Sequence, residues 1–313
     1  MRLAINDPSI DVALVNDLAD IKTLAHLLKY DSVHGQYNLS FEVKGDFLEF
    51  SNGKKVFFTN YENPYEIPWG KYNVQTVIES SGKFLTKQEA SGHLTSGARK
   101  VILSAPSKSE EIKTVVLGVN GDVINADDVI ISNASCTTNN AAPMVKVMLS
   151  LCEIESAYIT TVHSFTTDQR LHDAPHNDLR RARAATQSIV PTSTGAAKAI
   201  TKIFPELDGK IGGCGVRVPV PDGSFTDLTM VVKNPPTVEE INRAMKVASE
   251  GALKGILTYT EDPIVSIDVI GNPSSCVFDS GLTSVINNMV KVVGWYDNEA
   301  GYSNRLIDLI KRI

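Results

Sequence analysis

Cys136 lies in the segment Ser132-Asn133-Ala134-Ser135-Cys136-Thr137-Thr138-Asn139, after the apolar run Val129-Ile130-Ile131 and before the apolar-rich stretch Ala141 to Leu149. That order reads as a buried strand, a tight polar turn and an amphipathic helix. The turn sets Cys136 at the helix N-terminus, where unpaired N–H groups and the macrodipole favour negative charge. A thiol there is expected to have a lowered pKa, and its thiolate is a nucleophile. On position alone, a small buried core residue is the commoner meaning of a free cysteine. What overturns that meaning lies further along the chain.

His163 ends the β-rich run Tyr158 to Val162. Beside an activated thiol it becomes a candidate general base, because imidazole titrates near neutrality. A loop rich in hydrogen-bonding side chains follows (Thr166, Thr167, Asp168, Gln169) and continues to Asp178-Leu179-Arg180-Arg181-Ala182-Arg183. Those arginines also suit a solvated charged face. Arg217 is different: it sits inside the β-like Gly215-Val216-Arg217-Val218-Pro219, where a charge must be paired or functional. Thr192-Ser193-Thr194-Gly195-Ala196-Ala197-Lys198 adds hydroxyls and a glycine at a helix start, a natural seat for an anion. Arginine forks, hydroxyls and helix N–H groups together suit phosphate.

The elements that must position these groups fall into two textures. In the N-terminal part, short apolar strands (Val12 to Val15, Val74 to Ile78, Lys100 to Leu103, Val129 to Ile131) alternate with helical stretches at Leu18 to Tyr30 and Thr86 to Gly97. Such alternation argues for a doubly wound parallel sheet. Hairpin strands are expected at Phe41 to Val43, Phe47 to Phe50 and Lys55 to Phe58, around Gly45-Asp46 and Asn52-Gly53. After Cys136 the strands lengthen: Ala157 to His163, Gly215 to Val218, Leu228 to Val232, Ile264 to Ile270 and Val290 to Trp295. A capping box, Thr237 to Glu240, opens a helix running toward Ala252. This second texture predicts an α+β domain with a mainly antiparallel sheet. The boundary is placed at residues 133 to 135, giving domains 1–134 and 135–298, with a C-terminal helix, 299–313, completing the first.

Composition narrows the function classes. At 313 residues the chain is long enough for two domains with sizeable cores. A net charge of −6 gives no support for nucleic-acid binding. No apolar run approaches the roughly 18 residues needed to span a bilayer, and the first residues lack the apolar core of a secretory signal. Four dispersed cysteines (Cys136, Cys152, Cys214, Cys276) without a CxxC pair indicate neither a metal site nor a disulfide framework. A cytoplasmic enzyme is the expectation.

Ser-Asn-Ala-Ser-Cys-Thr-Thr-Asn, His-Ser-Phe-Thr-Thr-Asp-Gln, Asp-Leu-Arg-Arg-Ala-Arg-Ala-Ala, Pro-Thr-Ser-Thr-Gly-Ala-Ala-Lys and Trp-Tyr-Asp-Asn-Glu occur in this order along the chain. Together they resemble glyceraldehyde-3-phosphate dehydrogenases of the phosphorylating, bacterial type, over nearly the whole length. The resemblance implies that Cys136 attacks an aldehyde and that His163 takes the proton. Hydride would pass to NAD, and inorganic phosphate would release the thioester as an acyl phosphate. It assigns one phosphate subsite to Thr166 and Arg217, and the other to Ser135, Arg181, Thr194 and Gly195. Thr137 would complete the turn around the thiol, Asn298 hold the nicotinamide carboxamide, and Ser104 line the cofactor groove. A homotetramer is implied, with the loop Ser164 to Ala185 at a subunit interface.

Asp17, after the strand Val12 to Val15, stands where a dinucleotide fold places the acid for the adenosine ribose. The matching Gly-rich turn belongs about 20 residues upstream of that acid, before Met1. The Rossmann-type NAD-binding domain is therefore expected to be incomplete. Either the sequence starts upstream, the reading preferred here, or a short chain binds NAD weakly. Three smaller departures are Asn140, where many relatives carry cysteine, Glu62 at an often basic position, and Ala174 in place of leucine. Asp17 points to NAD over its 2′-phosphate form. Rival readings are a dehydrogenase of a four-carbon aldehyde phosphate (erythrose 4-phosphate), a cofactor-impaired non-catalytic form, and a cysteine hydrolase built on Cys136, His163 and Asn298.

Overall fold

The computed structural model describes residues 1–313, and the chain divides into two compact units. The first comprises Met1–Lys113, Ile124–Asn133 and Leu306–Ile313; the second comprises Thr114–Val123 and Ala134–Arg305. Two details depart from the expected domain limits. The segment 114–123 joins the second unit, and only the last part of the C-terminal helix joins the first.

In the first unit, α1 (Arg2–Asn6) precedes β1 (Leu14–Asn16) and α2 (Ile21–Lys29). The second helix starts three residues later than its apolar pattern suggests, because Asp20 caps it by accepting from the N–H groups of Lys22 and Thr23. It stops at Lys29, where β2 (Tyr30–Asp31) turns to pair with β3 (Gly35–Gln36). The hairpin strands β4 (Phe41–Lys44), β5 (Phe47–Phe50) and β6 (Lys55–Thr59) pair antiparallel, and β6 adds β1 in parallel. Next come β7 (Thr76–Glu79), α3 (Lys87–Thr95) under its Thr86–Glu89 capping box, β8 (Lys100–Leu103), β9 (Lys113–Thr114) and β10 (Ile130–Ser132). β7, β8 and β10 pair in parallel. The parallel strands thus belong to two sheets rather than one continuous sheet. Apolar clusters around Ile5, Leu48 and Val56, around Trp69 and Val77, and around Val101 and Leu103 bury their inner faces.

The second unit opens with α4 (Cys136–Leu151), followed by β11 (Glu153–Ser164), β12 (Val190–Thr192), α5 (Ala196–Ile203) and β13 (Ile211–Val218). Then come β14 (Ser224–Lys233), α6 (Val238–Glu250), β15 (Leu257–Thr260), β16 (Cys276–Asp279), β17 (Ser284–Ile286), β18 (Met289–Tyr296) and α7 (Ala300–Arg312). The sheet order is β12-β13-β11-β14-β18-β16-β15, antiparallel except for β11–β13 and β15–β16. One core, including Met144, Met148, Ile159, Leu228, Met245, Phe278 and Val292, lies between this sheet and its helices.

The strand expected at Ile264 to Ile270 does not form. A 3-10 turn occupies Ser266–Val269, Asp268 accepts from the N–H of Val265, and Val265 and Ile267 remain exposed. The local carboxylate offers the backbone a partner that outcompetes a ladder.

Candidate active site

Two features of the backbone deliver Cys136. Ala134 adopts a left-handed conformation (φ 56°), unusual for a residue with a Cβ, which turns the chain sharply between β10 and α4. Ser135 then caps α4, its Oγ accepting from the N–H of Thr138 at 3.1 Å, so Cys136 is the first helical residue. The carbonyl of Ala134 accepts from Tyr302 Oη on α7 at 3.1 Å.

Strand register brings the partners. In the parallel pair β11–β13, His163 lies opposite Arg217, so the imidazole and the guanidinium share one end of the sheet. Cys136 Sγ is 3.5 Å from His163 Nε2. On the far side of the ring, Nδ1 lies 2.9 Å from the Ser164 carbonyl and 2.7 Å from Arg217 Nη1, which itself donates to that carbonyl at 2.9 Å. Two protonation patterns fit these heavy atoms. With the proton on Nδ1, the ring donates to Ser164 and its bare Nε2 faces a thiol. With Arg217 donating to a bare Nδ1, the proton sits on Nε2 and faces a thiolate. The second pattern holds one proton fewer, so Arg217 is placed to stabilise the deprotonated site.

The environment reverses one expectation. Burial raises the Cys136 thiol above its ordinary value; the Thr137 backbone N–H and Arg217 oppose this but do not overcome it. Desolvation of an anion outweighs the helix terminus here. Burial, with Arg217 next, lowers His163 to about 3, so the resting imidazole is neutral and able to accept a proton.

Tyr296, which the sequence reading passed over, organises this site. Its hydroxyl lies 2.9 Å from both Thr137 Oγ1 and Thr161 Oγ1, and its ring stands edge-on to His163 at 5.9 Å. The available signal was its place at a strand end within Trp295-Tyr296-Asp297-Asn298.

The chain residues 135–298 match the family model described as glyceraldehyde 3-phosphate dehydrogenase, C-terminal domain, and residues 1–87 match its NAD binding domain. The glyceraldehyde-3-phosphate dehydrogenase of Mycobacterium avium is 54% identical over 303 residues, covering 96% of this chain and 89% of that protein. That of Geobacillus stearothermophilus is 51% identical over 310 residues, covering 98% of this chain and 92% of its own. The chain belongs to the glyceraldehyde-3-phosphate dehydrogenase family. Membership makes it an NAD-dependent phosphorylating oxidoreductase with NAD as its cofactor.

Other residues that the motifs of this dehydrogenase family single out are placed as follows. Arg181 lies among acceptors: its guanidinium pairs with Asp168, donates to Thr192 Oγ1 at 2.8 Å, and lies 3.5 Å from Asp178. Thr194 Oγ1 accepts from the N–H of Ala196, and Gly195 caps α5. Thr166 starts the turn after β11, its carbonyl accepting from the N–H of Gln169. No hydrogen bond joins Thr166 to Arg217, or Thr194 and Gly195 to Ser135. Asn140, at the family position often held by cysteine, donates to the carbonyls of Trp295 and Ser275.

Each unit also holds groups suited to NAD. Asn298 Oδ1 accepts from Ser164 Oγ at 2.8 Å and Ser224 Oγ at 2.7 Å, which leaves Nδ2 as a donor for a carboxamide oxygen. In the first unit Asp17 follows β1 at the surface, one carboxylate oxygen accepting from the Ala19 N–H and the other available to a sugar diol. Ser104 follows β8, its N–H donating to the Glu79 carbonyl at 2.9 Å. Within its own unit, each of these residues fits one part of a nicotinamide nucleotide.

Proposed function

We propose that this chain oxidises glyceraldehyde 3-phosphate and couples the oxidation to inorganic phosphate through a thioester on Cys136. The observation that carries the reading is the contact between Cys136 Sγ and His163 Nε2 at 3.5 Å, backed by Arg217. The sulfur attacks the aldehyde carbon while its proton passes to Nε2, and the imidazolium hands that proton on to the carbonyl oxygen, giving a hemithioacetal and a neutral ring. His163 then removes the hemithioacetal hydroxyl proton as C–H cleavage begins. NAD, when bound, accepts the hydride. Inorganic phosphate attacks the resulting thioester, the C–S bond breaks, and the acyl phosphate leaves.

Within this reading Thr166 and Arg217 take the substrate phosphate. Ser135, Thr194 and Gly195 seat the attacking phosphate, and Arg181 turns from Asp168 toward it. Thr137 holds the turn around the sulfur through Tyr296. Asn298, Asp17 and Ser104 hold the cofactor. The proposed domains are an NAD-binding domain, residues 1–134 completed by the C-terminal helix 299–313, and a catalytic domain, residues 135–298, with limits that differ from the two compact units as described above. We further propose a cytoplasmic homotetramer assembled through the loop between β11 and β12. Its apolar side chains Leu171, Leu179 and Ile189 are 65%, 80% and 70% exposed in the single chain.

The test compares NADH formation from three-carbon and four-carbon aldehyde phosphates, with and without inorganic phosphate, for the parent and for Cys136→Ser. The expected result is phosphate-dependent NADH from the three-carbon substrate, lost in the variant. A preference for the four-carbon substrate, or ester cleavage without nicotinamide, overturns the assignment.

A further inference from the structure

The first unit buries a chain of polar groups that the chemistry at Cys136 does not use. Trp69 Nε1 donates to His93 Nδ1 at 3.1 Å, and His93 Nε2 lies 2.8 Å from Glu79 Oε2. His93 is 2% and Glu79 5% exposed. An indole nitrogen only donates, so Nδ1 is the bare ring nitrogen and Nε2–H donates to the carboxylate. The other carboxylate oxygen accepts from the Ser81 N–H at 2.6 Å and from Ser81 Oγ at 2.5 Å. Burial pushes the Glu79 carboxyl up, and the bonds from His93 and Ser81 outweigh it, holding it below the usual carboxylate range.

Glu79 is the last residue of β7, and it ties together two turns. Its side chain holds Ser81 in the exposed turn Ser80-Ser81-Gly82, where Gly82 takes a left-handed conformation (φ 72°). Its main-chain carbonyl holds the N–H of Ser104, just beyond β8. Phe84, in the same connection, sets its ring edge-on to His93 at 6.2 Å. In open α/β sheets, nucleotides bind beyond the carboxyl ends of the parallel strands, where these turns lie. The Ser81 hydroxyl spends its proton on Glu79 and accepts from the Lys83 N–H at 3.2 Å. It keeps one lone pair, directed by the carboxylate, for a sugar hydroxyl.

We propose that Trp69, His93 and Glu79 form a positioning relay that sets Ser81 as a fixed hydrogen-bond acceptor for NAD. The relay governs cofactor affinity and leaves the reactivity of Cys136 alone. It rests on NAD being the cofactor, which the parent chain tests separately by binding NAD or failing to.

The fixed tautomer of His93 gives Glu79→Gln an effect that general destabilisation does not mimic. In Glu79→Gln the amide oxygen stays with Ser81 and the NH₂ meets His93 Nε2–H, donor against donor. The ring has no remedy while the indole donor occupies Nδ1. Adding Trp69→Phe removes that donor, so the proton moves to Nδ1 and Nε2 accepts from the amide. Calorimetric titration with NAD is therefore expected to show affinity about tenfold weaker in Glu79→Gln, the scale of a buried polar conflict. The double variant should recover to near the Trp69→Phe value. Ser81→Ala, on an exposed turn that folds regardless, should also weaken NAD about tenfold. In Glu79→Gln and Ser81→Ala KM for NAD rises at preserved kcat, and iodoacetamide alkylates Cys136 at the parent rate. Unchanged affinity in Ser81→Ala or in Glu79→Gln overturns the relay, as does a double variant weaker than Glu79→Gln alone.

Discussion

Desolvation at Cys136 raises the thiol, and the groups around it determine how it reacts. A half-buried thiol with a neutral imidazole at 3.5 Å is a resting state that ionises only as the proton moves to Nε2. General-base assistance of this kind contributes on the order of 10²–10⁴ in rate. His163→Asn should therefore lower kcat by that range, as measured from initial NADH production. The same residue makes stability depend on acid. His163 is neutral in the fold down to about pH 3, whereas an unfolded histidine protonates near 6.5. Between those values the unfolded chain binds the extra proton, so stability is lost as pH falls through this window. Urea unfolding at about pH 7 and about pH 5 should show a smaller loss for His163→Asn than for the parent.

At the scale of elements, the site depends on where strands end and how turns are shaped. Asn298 is held by Ser164 at the end of β11 and Ser224 at the start of β14. Gly223, just before Ser224, takes φ +83°, and a Cβ there would lie 2.1 Å from the Ser266 carbonyl oxygen. Backbone has no flexible end to retreat, so Gly223→Ala should cost at least about 2 kcal/mol and displace Ser224. Denaturant melts and NAD titration of the one variant check both effects. Thr237→Ala provides the contrast. Thr237 caps α6 through a reciprocal capping box with Glu240, away from the sulfur. Its loss should cost about 1 kcal/mol and leave kcat unchanged.

The whole molecule is two compact units with different logic. The first is built from local strand–helix alternation, the second from long strands paired across distant sequence. The loop between β11 and β12 places exposed leucines beside the ion pairs of Arg181 and Arg183. In the proposed homotetramer this loop lies at a subunit contact. Leu179→Glu should therefore shift the proposed homotetramer to smaller species in light scattering while the monomer fold, read by circular dichroism, is kept. An unchanged mass would remove this loop from the interface.

Local chemistry made much of this protein readable before folding. Cys136 at a helix start, His163 at a strand end and the Thr237–Glu240 box all rest on short-range rules, and each stands in the fold. The alternation of strands and helices, then the lengthening of strands, likewise carried the two fold classes. Misreadings arose where competition was local but hidden, as at Asp268, or where the periodic run overshot its cap, as at Asp20. Other facts belong to tertiary structure alone. Register, not spacing, put Arg217 beside His163; burial, not the helix dipole, set the thiol; and Tyr296 joined Thr137 to Thr161 across 159 and 135 residues of sequence. Sequence thus named the reacting groups, because their types and caps are local properties. Their protonation and mutual orientation depend on solvent exclusion and strand pairing, which exist only once the chain has folded.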